Sequence, residues 1–288
     1  MKLLILGSSG LLGNTITKYF LGKKNYKTYG SLSDLSKINL FKGNYFNNFV
    51  IMKNFLDLIA LEEHINKLKP NVIINCLGIT NKKKSDNLIE EYIEINSLFP
   101  HKLYNICCKN KIRLIHLSSD CVFSGNKGFY NEDDIPDPVD FYGRSKLLGE
   151  LNFANTLTIR KSVIGHELET RKGLLEWFLN KKDKVEGYKK VIFSGLTVLE
   201  LAIIIDTYIL PNKDLKGIYH ISGYPISKFD LLKIIADIYR KRIQIVPNEL
   251  QNIDRSLNSS SFNTLTGYKM KSWPELIKAM YEFNLSNK

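Results

Sequence analysis

"LLILGSSGLLG", residues 3–13, is an apolar run that ends in Gly7, Gly10 and Gly13. The run reads as a buried strand, and the following GLLGNTITKYFLG (10–22) reads as a helix. Glycines three apart between a strand and a helix let the backbone turn tightly and approach a pyrophosphate, which rests on the helix N-terminus. Alone, such a trio is as easily a structural turn. Here it opens a β–α–β pattern, so Gly7, Ser9, Gly10, Leu11, Leu12 and Gly13 are read as a dinucleotide-binding loop.

The pattern continues down the chain. YKTYGS (26–31), NFVIM (48–52), NVIINCLG (71–78), RLIHLSSD (113–120) and LTIRKSVIG (157–165) read as strands. Helical periodicity runs through 56–69, closed by Pro70 and Asn71, and through 85–111, where Pro100 predicts a kink. Strands alternating with helices imply an α/β fold with a doubly wound parallel sheet. The second half is less regular. Helices are expected over 173–182, 198–210, 227–241 and 273–283, with strands at 191–195, 217–223 and 243–247. The expected division is a Rossmann-like dinucleotide-binding domain over 1–165. A smaller substrate-binding lobe over 166–288 is interleaved with the sheet edge, and the ligand lies between them.

Ligands of such sheets lie outside the carboxyl ends of the strands. At the end of the second strand, YGSLSD (29–34) has no carboxylate where an NAD-specific site usually carries one, and Asp34 sits slightly late. Ser31 and Ser33, with Lys37 nearby, suit a 2′-phosphate, so NADP is favoured over NAD. Cys76, Leu77 and Gly78 end the next strand. They either touch the cofactor or shape the loop, and Asn96 is placed to hold that loop. Ser118 or Ser119, in HLSSDCVFSG (116–125), can donate to a carbonyl oxygen or satisfy a turn. In DFYGRSKLLGE (140–150), Tyr142 and Lys146 share one helix face. The pair is either a surface contact or a tyrosine whose acidity is tuned by a cation.

In this order, the glycine trio, the serine-bearing strand and Y-x-x-x-K resemble the extended short-chain dehydrogenase/reductase family. The stretch 117–150 looks like the S-T-D-Y-V-F-x-G … P … Y-G-x-x-K-x-x-G-E segment of dTDP-4-dehydrorhamnose reductases and related nucleotide-sugar ketoreductases. Ser119 stands where the family has threonine and Cys121 where it has tyrosine. LTIRKSVIGHEL (157–168) matches the R-x-S strand, and 254–277 looks like the late R-x-x-x-S-x-x-F … W segment. The resemblance implies that Tyr142 is the acid/base and that Lys146 lowers its pKa and binds nicotinamide ribose. It implies that Ser119 orients the carbonyl, and that Ser118, Tyr142 and Lys146 line the cofactor. Asp120, Val122, Phe123 and Arg255 would join Ser119 and Tyr142 around the substrate, with Arg255 on its diphosphate. The implied activity is NADPH-dependent reduction of a nucleotide-linked 4-keto-6-deoxy sugar for a surface polysaccharide. An epimerase of the same superfamily and a non-catalytic NADP-binding regulatory subunit are the competing readings.

Composition bounds the rest. The 288 residues, 44% hydrophobic and 24% charged, suit a globular chain rather than a disordered one. No apolar run is long enough for a bilayer span, and MKLLILGSSG lacks the length and cleavage site of a signal peptide. The expectation is a soluble cytoplasmic protein. Net charge is +12, from scattered lysines with one short run, KKK at 82–84, and no nucleic-acid motif accompanies it. The field favours anionic small ligands. The four cysteines have no metal-ligand spacing, so no metal is expected and the thiols are read as reduced. A homodimer is compatible with this reading.

Overall fold

The chain runs β1 (Lys2–Leu6), α1 (Leu11–Leu21), β2 (Lys27–Leu32), β3 (Phe49–Ile51), α2 (Leu58–Leu68), β4 (Val72–Asn75), α3 (Leu88–Glu91), α4 (Phe99–Lys109), β5 (Arg113–Leu117), α5 (Phe141–Leu148) and β6 (Thr156–Arg160). Then come β7 (Val163–Ile164), α6 (Leu174–Asn180), β8 (Lys184–Phe193), β9 (Leu196–Thr197), α7 (Val198–Ile204), β10 (Gly217–His220), β11 (Ile226–Ser227), α8 (Lys228–Ile238), β12 (Gln244–Asp254), α9 (Ser260–Thr266) and α10 (Trp273–Ser286). The computed structural model describes residues 1–80, 88–168 and 173–287. The lysine run at 82–84 and the first three residues of the helix expected from 85 lie outside the described residues.

Seven strands form a parallel sheet in the order β10–β6–β5–β4–β1–β2–β3. This is an α/β Rossmann-like fold. β1 shows why its sequence is uniformly apolar. Leu3 and Ile5 feed one buried cluster, with Ile16 and Phe20 of α1. Leu4 and Leu6 feed the other, with Leu61 of α2 and Leu103 of α4. Successive residues of a strand face opposite sides, so a sheet covered on both faces needs both sets apolar.

Residues beyond 166 extend this sheet through β10, which pairs with β6. They also build a three-stranded sheet in the order β11–β8–β12. β8 and β12 are much longer than the expected strands at 191–195 and 243–247. Their added halves are mostly polar, with Val185 buried in β8 and Leu250 exposed in β12, and β12 carries a register shift between Asn248 and Asn252, so apolar content marks only part of each. α9 was not expected, because SSSFNTLT has poor helix formers and buries only Phe262. The irregularity near Pro100 is a π-helical segment, Tyr92–Leu98, just ahead of it. Proline lacks the N–H the preceding turn would use, and a wider turn there accommodates the loss. No helix among the described residues is long and apolar enough to cross a membrane.

Candidate active site

Strand order reverses between β1 and β4, and the loops after these strands border a crevice. Gly7 has φ +81°, a left-handed conformation that favours glycine, and its N–H donates to Ser31 Oγ at 2.9 Å. A Cβ at Gly13 would lie 2.1 Å from Gly7 O, so α1 packs directly on the loop. Gly10, exposed, is the N-cap of α1, and no side chain caps the helix there. The first-turn N–H groups are therefore available to an anion, and the cradle fits a dinucleotide pyrophosphate. Ser9, Leu11 and Leu12 are half-buried along it.

Ser31 is fully buried beneath the loop, a support rather than a cofactor-facing hydroxyl. Ser33 is half-buried at the end of β2. The Asp34 carboxylate accepts from Ser36 N at 2.7 Å and from the Ser36 hydroxyl. These bonds hold it below the usual carboxylate range, with Lys37 and Lys53 acting in the same direction. Lys53 follows β3, and only the β2–β3 pairing reveals it as a neighbour.

The loop after β4 is held from the π-helical segment. Asn96 Oδ1 accepts from Ile79 N at 2.8 Å, and its Nδ2 donates to Ile79 O at 2.9 Å and to Ser145 Oγ at 3.0 Å. One side chain thus ties this loop to α5. Leu77 Cδ2 would lie 3.0 Å from a Cβ at Gly7, so the two loops touch. Gly78 is exposed and faces Asn96 and Lys146. Burial pushes the Cys76 thiol up to about 12.

Asp140 caps α5, its carboxylate accepting from Gly143 N at 2.7 Å. Lys146 is buried, and its Nζ donates to Leu117 O at 2.8 Å. Burial lowers its pKa to about 7, Lys161 adds to this, and Glu150 and Cys76 oppose it. Ser119 caps the short turn Asp120–Val122, accepting from Cys121 N at 3.2 Å and donating to Asp120 Oδ1 at 3.2 Å. It also faces Tyr142 and favours the phenolate. The resemblance implies that Lys146 lowers the pKa of Tyr142, whereas the phenol is shifted in the opposite direction. The ammonium is drawn to the end of β5, and burial raises the tyrosine well above its ordinary value, with Cys121, Asp120 and Asp140 adding to the rise. Tyr142 is a protonated phenol at neutral pH, the form an acid needs.

The two candidate serines separate. Ser118 is fully buried and donates to Glu150 Oε1 at 2.7 Å, while Ser119 faces the tyrosine. Val122 and Phe123 do not line the cleft. Both are fully buried in an apolar cluster with Tyr130 and Leu257, and Phe123 stacks on Tyr130. Asp120 sits beside Lys161, Ser162, Arg255 and Ser119, which oppose the upward pull of burial on its pKa. Arg255 reaches this turn from the far end of the chain. Its Nε donates to Phe123 O at 3.0 Å, and Nη1 lies 3.7 Å from Cys121 Sγ. Lys161 was missed in the sequence, although a lysine just past a buried strand is the same strand-end signal that drew attention to Cys76 and Ser119.

The sequence profile of the RmlD substrate binding domain family matches residues 1–285. A dTDP-4-dehydrorhamnose reductase of Aggregatibacter actinomycetemcomitans is 25% identical over 300 residues, 99% of this chain and 94% of that protein. Methionine adenosyltransferase 2 subunit beta of Xenopus tropicalis is 26% identical over 259 residues, 83% of this chain and 72% of that protein. The match to "Probable low-salt glycan biosynthesis reductase Agl14" of Haloferax volcanii, 29% identical over 151 residues, covers 52% of this chain and spans about half (48%) of that protein. Among solved structures, a dTDP-4-dehydrorhamnose reductase from Bacillus anthracis in complex with NADP has a TM-score of 0.79 at 18% identity, covering 100% of this chain and 99% of that one. That likeness establishes the shared fold.

Proposed function

The chain belongs to the RmlD substrate binding domain family, and on that premise we propose that it reduces a nucleotide-linked 4-keto-6-deoxy sugar with NADPH. It is an NAD(P)-dependent oxidoreductase. What supports the reading is that Ser119 faces Tyr142, that Lys146 on the same helix reaches Leu117 O at the end of β5, and that no side chain caps the N-terminus of α1. NADPH, when bound, supplies hydride to the carbonyl carbon. Tyr142, kept protonated by its burial, gives its proton to the carbonyl oxygen, and Ser119 donates a hydrogen bond to that oxygen. Lys146 holds the nicotinamide ribose. Arg255 takes the substrate diphosphate, and residues 166–288 provide the lobe that receives the nucleotide. The product serves surface-polysaccharide synthesis in the cytoplasm.

The likeness to methionine adenosyltransferase 2 subunit beta supports a second reading, an NADP-binding subunit without turnover. The intact Tyr142/Lys146 pair favours the reductase. Oxidation of NADPH should be followed with a panel of dTDP- and UDP-linked 4-keto sugars. Turnover of one of them is expected. Tight NADPH binding with no turnover of any would favour the second reading.

Charge on Lys146 gives a pH dependence. Its pKa near 7 means the ammonium is formed below that pH and lost above it. An anionic dinucleotide prefers the charged form. NADPH affinity should therefore hold below about pH 7 and fall above it, by up to tenfold per pH unit. Nicotinamide fluorescence titrations check this, and a flat profile through neutrality refutes it.

A further inference from the structure

Resting on that reading, we propose that Tyr130 is a positioning residue for the sugar nucleotide. Its buried hydroxyl organises the loop 123–130, which holds Arg255 against the turn of Ser119 and so sets the affinity for the substrate diphosphate.

Tyr130 is 3% exposed, and Phe123 stacks on its ring with centroids 4.2 Å apart. Its hydroxyl oxygen accepts from Gly125 N and from Lys127 N, each at 3.1 Å, and lies 3.4 Å from Ser124 Oγ. Backbone N–H groups of the turn thus converge on a side chain at the turn's own far end. The backbone between them is held in demanding conformations. Gly125 has φ +91°, and Phe129 has φ +48°, the left-handed region that is costly for a bulky residue.

The loop is fastened to the chain on both sides of Arg255. Asp254 N donates to Gly125 O at 2.8 Å, Phe129 N to Ser256 Oγ at 2.8 Å and Tyr130 N to Ser256 O at 2.9 Å. Tyr130 O accepts from Asn258 N at 2.8 Å and from His220 Nδ1 at 2.9 Å. A Cβ at Gly125 would lie 3.0 Å from Arg255 Cγ, so the turn and the arginine stem touch. Arg255 Nε donates to Phe123 O at 3.0 Å and to Ser124 O at 3.3 Å, just ahead of the turn that Tyr130 closes. Its Nη1 lies 3.7 Å from Cys121 Sγ, a weak acceptor on the turn that Ser119 caps. A guanidinium fixed through Nε presents its Nη donors in one direction, the geometry that suits a phosphate. Loss of the Tyr130 hydroxyl orphans the N–H groups of Gly125 and Lys127 and loosens the segment whose carbonyls aim Arg255.

The test is Tyr130→Phe, which keeps the ring and its stack. Calorimetric titration of the NADPH-loaded protein with dTDP and with UDP reads the diphosphate site without turnover. The nucleotide that the wild type binds should bind about tenfold more weakly to Tyr130→Phe, while NADPH affinity stays near wild type. Arg255→Ala should itself weaken that nucleotide, and adding Tyr130→Phe to it should change little more, because the hydroxyl acts through the arginine. A Tyr130→Phe protein that binds the nucleotide as the wild type does overturns the assignment. An equal further loss in the Arg255→Ala background also overturns it, because Tyr130 then acts on the loop and not through the arginine. Ser256→Ala cuts the link from Phe129 N in the same loop and serves, with the same outcomes, if Tyr130→Phe does not fold. A wild-type chain that binds NADPH but neither nucleotide overturns the proposed function and this inference together, whereas an unmoved variant overturns Tyr130 alone.

Discussion

Tyr142→Phe is expected to lower kcat by about 10²–10⁴-fold, the range that a positioned general acid contributes. The substitution removes one hydroxyl and keeps the ring. The ring packs near Tyr92, with centroids 6.3 Å apart, and that contact survives. The phenol faces Ser119, whereas α5 itself is anchored by Asn96 and Asp140 through Ser145 and Gly143. NADPH affinity and thermal stability should therefore stay near wild type while turnover collapses. Steady-state turnover with the sugar nucleotide that the wild type reduces, alongside NADPH titration, separates these effects. A phenylalanine variant with near-normal kcat would leave Tyr142 without a catalytic role.

Glu150→Ala should cause the largest loss of stability, about 3–5 kcal/mol. Glu150 accepts from Arg160 Nε at 2.9 and 3.1 Å, from Arg160 Nη2 at 2.8 Å and from Ser118 Oγ at 2.7 Å. The two charged side chains are 5% and 4% exposed. Truncation strands a guanidinium in the interior, with the Phe123 ring and His220 as its remaining neighbours. A chain of this size should melt on the order of 10 °C lower. Glu150→Gln keeps an acceptor for both partners and should fall between. Thermal unfolding followed by circular dichroism decides it, and an alanine variant melting within a degree or two of wild type would remove the network from the account of stability. The network also joins β5, α5, β6 and β10 beneath the site, so turnover at a permissive temperature should drop together with stability.

Much of this protein follows from the sequence alone. The apolar run before Gly7, the glycine spacing and the strand–helix alternation imply the doubly wound sheet, because each is a local pattern with a fixed geometric meaning. Tyr142 and Lys146 were legible for the same reason, since four residues make one helical turn. Asn96 was legible as the clamp of the loop after β4. The tertiary structure decided the rest. Ser118 and Ser119 are neighbours in sequence, yet one faces a buried carboxylate and the other the tyrosine, a choice made by strand direction. Val122 and Phe123 went into the interior because the turn closes over Tyr130 and Leu257. Lys53 beside Asp34, Arg255 beside Cys121 and Lys161 beside Asp120 are each brought together by elements distant in the chain. The acidities of Tyr142 and Lys146 departed from the local expectation for the same reason. Spacing sets which groups can meet on one helix face, whereas their charge states depend on burial and on neighbours that strand pairing and loop closure supply.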